Sequence, residues 1–477
     1  MNFARDVVDA APPGRLALVE LGRDGARREW RFGELADRAA RLAGTLTAHG
    51  VGPGDVVMTV IGNRAEWVLA LVACFRLGAV ALPCTEQLRA PDLRLRLDIA
   101  RPSVVLADER NLAQLAAAGP SCPVLAVPDE TLFAASPAPA RELAPEDPCL
   151  IVFTSGTAGP PKAVLHGQRY LVGQSLQAER WLAPRPDELV WCTAASGWSK
   201  SARNTFVAPW LRGAPALLHD ARFDPAERLE ILTRERVGVL CMAPTEYRIM
   251  AKRTELGAPP ALRGLVAAGE ALNPEVLRAW REATGLSIRD GYGQTETGQL
   301  TGAPLDLPVR PGSMGRPLPG VHAWVDEGEL VVDPASVPTF FLGYLGDSPM
   351  EHETWRTGDR VHADEDGFLH FEGRADDLII SAGYRIGPFE VESALVAHAA
   401  VAEAAVVAAP DDERGAVVRA VVVLRDDVAP SDALIGELQE HVRQTTAPYK
   451  YPRIVEFAAA LPKTASGKVR RRVLREG

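Results

Sequence analysis

No two of the six cysteines are spaced as a metal or redox motif. They stand at Cys74, Cys84, Cys122, Cys149, Cys192 and Cys241, with no C-x-x-C pair and no Cys/His cluster of metal-ligand spacing. A zinc centre and a disulfide framework are therefore excluded, and a reducing, cytoplasmic setting is expected. The opening residues MNFARDVVDAAPPG lack an apolar segment, so a secretory leader is not expected. No apolar run reads as a membrane span: the longest, residues 67–84, is broken by Arg76 and Gly78 and reads as a helix followed by a strand. Positive charge is not in excess. The formal charge of -10 argues against a nucleic-acid partner, with the tail KVRRRVLR (468–475) as a local exception. No internal repeat or low-complexity tract is present.

What is present is a chain of 477 residues, long enough for two or three domains. A hairpin is expected over 16–32. Strand and helix patterns then alternate: a helix over 34–49 with Leu35, Ala39, Leu42 and Leu46 on one face, a strand at 56–61, a helix at 66–77, and strands near 80, 103–107 and 123–127. The alternation resumes with a helix near 168–182, strands in LVWCTA, ALLHD, VGVLCMA and GLVAAG, and helices at 225–236 and 245–255. Repeated units of this kind predict an α/β fold of largely parallel, helix-covered sheets, whose ligands sit at the carboxyl ends of strands. After GRADD (373–377) the pattern becomes a helix near 388–398, a long hairpin, a helix at 431–445 and a short strand, RIVEF. This predicts a small α+β domain. The expected division is 1–375 and 376–477.

One loop is rich in hydrogen-bond donors. TSGTAGPPKAVLHG (154–167) follows the strand-like CLIVF and carries glycines, hydroxyls and Lys162, a composition suited to phosphate. It is not a Walker A loop. Two prolines separate Gly159 from Lys162 and cannot carry the helical turn that motif requires. Alone, a Gly/Pro surface turn explains it nearly as well.

Five further stretches accompany it: AAGEAL (267–272), RDGYGQTETGQL (289–300), WRTGDR (355–360), GRADDLIISAGYRIGPFEVE (373–392) and LPKTASGKVRRRVLR (461–475). Each singly is more often a capped turn than a site. In this order they resemble the adenylate-forming superfamily of acyl-CoA synthetases, carrier-protein adenylation domains and luciferases, from about Leu35 onward. The resemblance is strongest to acetyl-CoA and medium-chain acyl-CoA synthetases, in which the motifs at 381–388, 446–453 and 461–468 recur almost as written here.

The resemblance implies a carboxylic acid joined to AMP with loss of pyrophosphate, then passed to coenzyme A, with ATP and Mg²⁺ required. It implies ATP or AMP contacts at Thr154, Ser155, Gly156, Thr157, Gly159, Lys162, Gly291, Gly293 and Gln294, and an adenine pocket in which Tyr292 stacks on the base beside Gly269, Glu270, Ala271 and Asp290. Asp359 and Arg374 would meet the ribose, Thr295 the α-phosphate and Glu296 the magnesium. Lys468 would bridge carboxylate and α-phosphate, with Arg385 as a second cation. Asp376 matches a hinge about which the small domain turns for the second half-reaction, bringing in Gly383 and Tyr384, with Arg443 reaching a CoA phosphate.

Two features depart from the pattern. Ala158 stands where many relatives carry threonine, and the stretch 320–355 is short, although GEL (328–330) survives. The acyl pocket is expected at Trp198, Ser199, Gly293 and Met314, with Lys200 and Arg203 nearby as CoA contacts or partners of a polar acid. In acetate-activating relatives a tryptophan fills the position of Gly293. Its absence predicts an open pocket and a medium-chain or aromatic acid; the alternative is that Gly293 serves only the backbone turn, with Trp198 or Met314 filling the space. A carrier-protein thiol or an amine is the alternative acceptor, and a degenerate adenylate-binding protein is the non-enzymatic one. Monomer and homodimer both stay open.

Overall fold

The computed structural model describes residues 1–476 apart from 155–160, 271, 273, 348–352, 376, 382–383, 412 and 465–467, and the backbone alone of Arg385. Seven strands form a first sheet in the order Ile288–Gly291, Gly264–Ala268, Val239–Met242, Val190–Cys192, Ala216–His219, Leu16–Leu21 and Arg27–Arg31. All neighbours are parallel except the last pair, the expected hairpin. A second seven-stranded sheet runs Gly343–Tyr344, Ala163–Gly167, Pro148–Phe153, Val80–Cys84, Val56–Val60, Val104–Asp108 and Val124–Val127. It is parallel from Pro148–Phe153 onward and antiparallel at the Ala163–Gly167 end. The β-branched, two-faced apolar character of these strands suits sheets covered on both sides.

The helices Phe32–Ala48 and Ala65–Leu77 belong to one hydrophobic cluster that also takes Leu18 and Leu218 from the first sheet and Val57, Val104 and Leu150 from the second. Burial explains why Ala65–Leu77 is apolar all round. Its one charge near the end, Arg76, pairs with Asp9 at 2.7 Å. The carboxyl ends of the two sheets touch at Gly197, where φ is +92° and a Cβ would lie 2.4 Å from the Thr85 nitrogen. Only glycine permits that approach. Asn63 stitches the same junction, accepting from the Ser196 N–H at 2.8 Å and donating to the Ala194 carbonyl at 3.2 Å.

A third, antiparallel sheet is formed by Ala323–Asp326, Glu329–Val332, Trp355–Ala363 and Leu369–Arg374. Neither this sheet nor the helix Ala90–Ala100 is legible in the sequence pattern, because charged residues interrupt their short apolar sets. The helix expected near 168–182 is three short pieces, ending in a π-helical turn over Ala178–Leu182.

The small α+β C-terminal domain has the expected helices, Pro388–Ala397 and Asp432–Thr445. Its hairpin is Val401–Asp411 with Gly415–Leu424, and Ile454–Phe457 pairs with it in parallel. It owns a core that includes Ile379, Val391, Leu395, Val406, Val422 and Leu438. Lys252 of the large domain donates to the Val401 carbonyl across the junction at 2.9 Å. No helix among the described residues is long and apolar enough to cross a membrane.

Candidate active site

Three sheets and the C-terminal domain converge on one cleft. The first sheet contributes Gly269, Glu270 and Tyr292, the second Thr154 and Lys162, and the third contributes Asp359 and Arg374. These last two are cross-strand partners in the register of Trp355–Ala363 with Leu369–Arg374. Asp359 is only 5% exposed. It accepts from the Tyr292 hydroxyl at 2.5 Å, from Gln294 Nε2 at 2.9 Å and from Arg374 Nη1 at 3.2 Å. A carboxylate has about four acceptor positions, so one remains for an incoming hydroxyl. Burial raises the Asp359 pKa, and Arg374 opposes that rise. Gln294 is itself fixed by donation to the Thr357 carbonyl at 2.7 Å and by the indole of Trp355 at 3.0 Å.

Thr154 and Lys162 close the base of the Gly/Pro loop. Each backbone N–H serves the other residue: Thr154 N to the Lys162 carbonyl at 2.9 Å, and Lys162 N to Thr154 Oγ1 at 3.0 Å. Ser155, Gly156, Thr157 and Gly159 lie outside the described residues, as do Ala271, Asp376 and Gly383, together with the Arg385 side chain. Lys162 reaches over the Tyr344 ring, 4.6 Å from its centroid, and the Tyr344 hydroxyl donates to Glu296 Oε1 at 3.0 Å. Tyr344 therefore links the loop lysine to the candidate magnesium ligand. It escaped the sequence reading because nothing marks it except a preceding glycine. Among the described residues no three His, Cys, Asp or Glu side chains gather to hold a metal. One carboxylate completed by substrate phosphates is instead the arrangement Mg²⁺ accepts. Thr295 adjoins Glu296, with its backbone beside the ring of His166. That ring is wholly buried, which pushes its pKa down to about 3.

Lys468 arrives from the C-terminal domain and faces Glu270, Lys200, Asp359 and Arg374. The walls of the cleft crowd round it, which lowers its pKa. Glu270 and Asp359 oppose that effect, while Lys200 and Arg374 add to it. Its side chain still meets solvent. Glu270 is positioned by the Thr245 hydroxyl at 2.6 Å. Asp290 is 6% exposed, accepts from the Gly291 N–H at 2.9 Å, and has its pKa raised by burial.

The acyl-side residues divide. Trp198 and Ser199 are half-buried at the start of the short helix Ser199–Ala202, beside Lys200. Arg203 is 4% exposed, lies near Tyr170 and His166, and pairs with no carboxylate among the described residues. Met314 is buried with Leu330, Val361 and Leu369 behind Tyr292. For Gly293 the structure favours the backbone turn over the open pocket. Gly293 pairs with Gln299 in a tight hairpin, and a Cβ there would fall 1.9 Å from the Gly298 carbonyl oxygen. The space a side chain would occupy is backbone, not an acyl cavity. Tyr384 is 52% exposed and stacks on Tyr449 with centroids 4.3 Å apart. Arg443 pairs with Glu440 at 3.2 Å and lies 3.8 Å over the Tyr451 ring.

This combination of fold and cleft defines a class. Residues 5–343 match the AMP-binding enzyme family and residues 390–468 its C-terminal domain, so the chain belongs to the AMP-binding enzymes. It is 37% identical to the mitochondrial acyl-coenzyme A synthetase ACSM3 of Pongo abelii, with 100% of this chain and 89% of that protein covered. It is also 37% identical to the uncharacterized acyl–CoA ligase YtcI of Bacillus subtilis, over 97% of this chain and 93% of that one. Among solved structures, a benzoate CoA ligase from Burkholderia xenovorans superposes with a TM-score of 0.90 at 28% identity, covering 100% of both chains. The anthranilate CoA ligase AuaEII, in complex with anthranoyl-AMP, gives 0.90 at 28% identity, covering 100% of this chain and 97% of that one.

Proposed function

We propose that the chain is an acid:CoA ligase acting through an acyl-adenylate. The observation that carries this reading is the meeting of Lys468, from the C-terminal domain, with Asp359, Arg374 and Glu270 in a cleft at the carboxyl ends of the strands. In the first step a carboxylate oxygen attacks the α-phosphorus of ATP. The bond to the bridging oxygen breaks, and pyrophosphate leaves with the electron pair. Negative charge gathers where Lys468 stands, and a fixed ammonium there stabilises it. Asp359, with one acceptor position open and Arg374 beside it, receives a ribose hydroxyl. Tyr292 stacks on the base, Gly269, Glu270, Ala271 and Asp290 complete the adenine pocket, and Gly291, Gly293 and Gln294 add nucleotide contacts. Thr295 meets the α-phosphate, the loop 154–162 the outer phosphates, and Arg385 adds a second cation. Glu296, one oxygen of which is held by Tyr344, would hold Mg²⁺, and the ion would neutralise phosphate charge.

In the second step the CoA sulfur bonds to the acyl carbon, the acyl C–O bond breaks, AMP leaves, and the thiol proton passes to solvent. We assign the large domain to 1–375 and the mobile one to 376–477, with Asp376 as hinge. The small domain's core beginning at Ile379 supports that boundary. The lysine facing the cleft while Tyr384 faces solvent supports reading this arrangement as the adenylating one, with Gly383, Tyr384 and Arg443 turning inward for CoA. Six unpaired thiols suit a reducing setting, cytoplasmic in this reading, although ACSM3 is a mitochondrial protein. The proposed acid is medium-chain or aromatic, in line with neighbours named for benzoate and anthranilate.

Pyrophosphate release with acetate, butyrate, hexanoate, octanoate and benzoate, followed by thioester analysis with and without CoA, tests this. The larger acids should give the higher kcat/KM, and thioester should form only with CoA. A preference for acetate would overturn the substrate class. Pyrophosphate release without CoA thioester would point to a carrier-protein thiol or an amine.

A further inference from the structure

Lys200 stands in the cleft with its charge largely unanswered. It is the second residue of the helix Ser199–Ala202, immediately after Trp198 on the acyl side. Its ammonium donates to the Ala268 carbonyl at 3.2 Å and lies 3.4 Å from where a Gly269 Cβ would project. That places it against the turn that ends the Gly264–Ala268 strand, inside the proposed nucleotide site. An ammonium has three N–H donors, and the Ala268 carbonyl takes one. Among the described residues no carboxylate lies within ion-pair distance of it. The nearby acids are engaged elsewhere: Glu270 with Thr245, and Asp359 with Tyr292, Gln294 and Arg374.

Lys468 faces the same space, and the two ammonium groups repel each other. Such a pair is stable when an anion sits between them. In the proposed reaction the group that comes to Lys468 is the acyl carboxylate, which becomes the adenylate carbonyl. The two cations differ in what carries them. Lys468 belongs to the C-terminal domain. Lys200 belongs to the large domain, and its hydrogen-bond partners, Ala268 and Cys192, are there too.

We infer that Lys200 is a second catalytic cation that holds the acyl carbonyl oxygen and remains in place for thioester formation after Lys468 has withdrawn. The inference rests on the two-step ligase reading above. As the CoA sulfur bonds to the acyl carbon, the carbonyl electron pair moves onto oxygen. It returns as the acyl C–O bond breaks and AMP leaves with that bond's pair, and the thiol proton goes to solvent. Lys200 stabilises the oxygen while it bears that charge and exchanges no proton.

The test is K200M, which keeps the apolar stem, with K200R and K200Q beside it. The two half-reactions are measured separately on the full-length enzyme: pyrophosphate release without CoA, and thioester formation from supplied acyl-AMP. Loss of one such stabilising donor costs about a hundredfold to a thousandfold. K200M should lose about a hundredfold in thioester formation and at most about tenfold in adenylation, where Lys468 still serves. K200R should recover most of the loss. A second readout is the pH profile of adenylation. The charged groups facing Lys468 are Glu270, Asp359, Arg374 and Lys200, and those facing Lys200 are Lys468 and the Cys192 and Cys241 thiols. Removing Lys200 raises the Lys468 pKa, so the alkaline limb of adenylation in K200M should move to higher pH. That shift checks that the Lys200 charge reaches Lys468 in the working enzyme, while the unequal loss in the two half-reactions separates a catalytic from a structural role. If K200M fails to fold, K200Q and K200R carry the comparison. Unchanged thioester formation, or equal loss in both half-reactions, would overturn the inference while the ligase reading stood. A wild-type enzyme lacking both half-reactions would overturn that reading and this inference with it.

Discussion

Lys468→Ala is expected to lose pyrophosphate release by on the order of a hundredfold or more, while converting supplied acyl-AMP to thioester at close to the wild-type rate. The expectation follows from position. Lys468 comes from the C-terminal domain into a cleft built by the large one, and it meets Glu270, Asp359, Arg374 and Lys200 there. An alanine removes the charge and leaves those four in place, so nucleotide binding should suffer far less than the chemical step. The wild-type pH profile carries the same signature. Crowding holds the Lys468 pKa below that of an ordinary lysine, and the group must be charged to act. Adenylation should therefore fall on its alkaline side earlier than a lysine in water would dictate. Equal loss in both half-reactions would contradict the division of labour.

Gly293→Ala is expected to destabilise the fold, and Gly293→Trp to destabilise it further. A single Cβ at 293 would lie 1.9 Å from the Gly298 carbonyl oxygen, 2.8 Å from its carbon and 2.9 Å from the Gln299 Cα. All of these are backbone atoms of the hairpin that carries Thr295 and Glu296, and none can turn aside as a side chain can. Overpacking of this kind costs about 1–3 kcal/mol, and more where backbone must move. Thermal melts should show a clear fall in Tm for Gly293→Ala, and activity should drop on every acid alike. A well-folded Gly293→Trp enzyme that prefers acetate would contradict the geometry and restore the open-pocket explanation.

The two halves of the site differ in how far the sequence discloses them. The strand–helix alternation is explicit in the apolar periodicity, and the strands that end at Phe153 and Ala268 fall where the pattern places them. The strand Ile288–Gly291 before Tyr292 is too short and too polar to stand out, whereas the position of Gly269 at a strand end follows from the alternation alone. Contacts made by register and by distant partners do not. Asp359 meets Arg374 because two strands of the third sheet pair with one specific offset, and Glu296 meets Tyr344 across 48 residues. Local pattern has no means of expressing either. Gly293 shows the opposite hazard. A missing side chain reads equally as empty space or as a tight turn, and only the fold shows the hairpin's own backbone where its Cβ would be. Lys200 was visible as a charge near the acyl side, but its donation to Ala268, 68 residues away, depends on a fold no short window contains.

The measurement that tests the central claim most directly follows oxygen. The acid is supplied with ¹⁸O in both carboxylate positions, together with ATP, Mg²⁺ and CoA, and the products are weighed by mass spectrometry. Attack of the carboxylate on the α-phosphorus, followed by acyl C–O cleavage, predicts one ¹⁸O in AMP, one in the thioester carbonyl and none in pyrophosphate. Unlabelled AMP, or label in inorganic phosphate with ADP as the other product, would contradict the account.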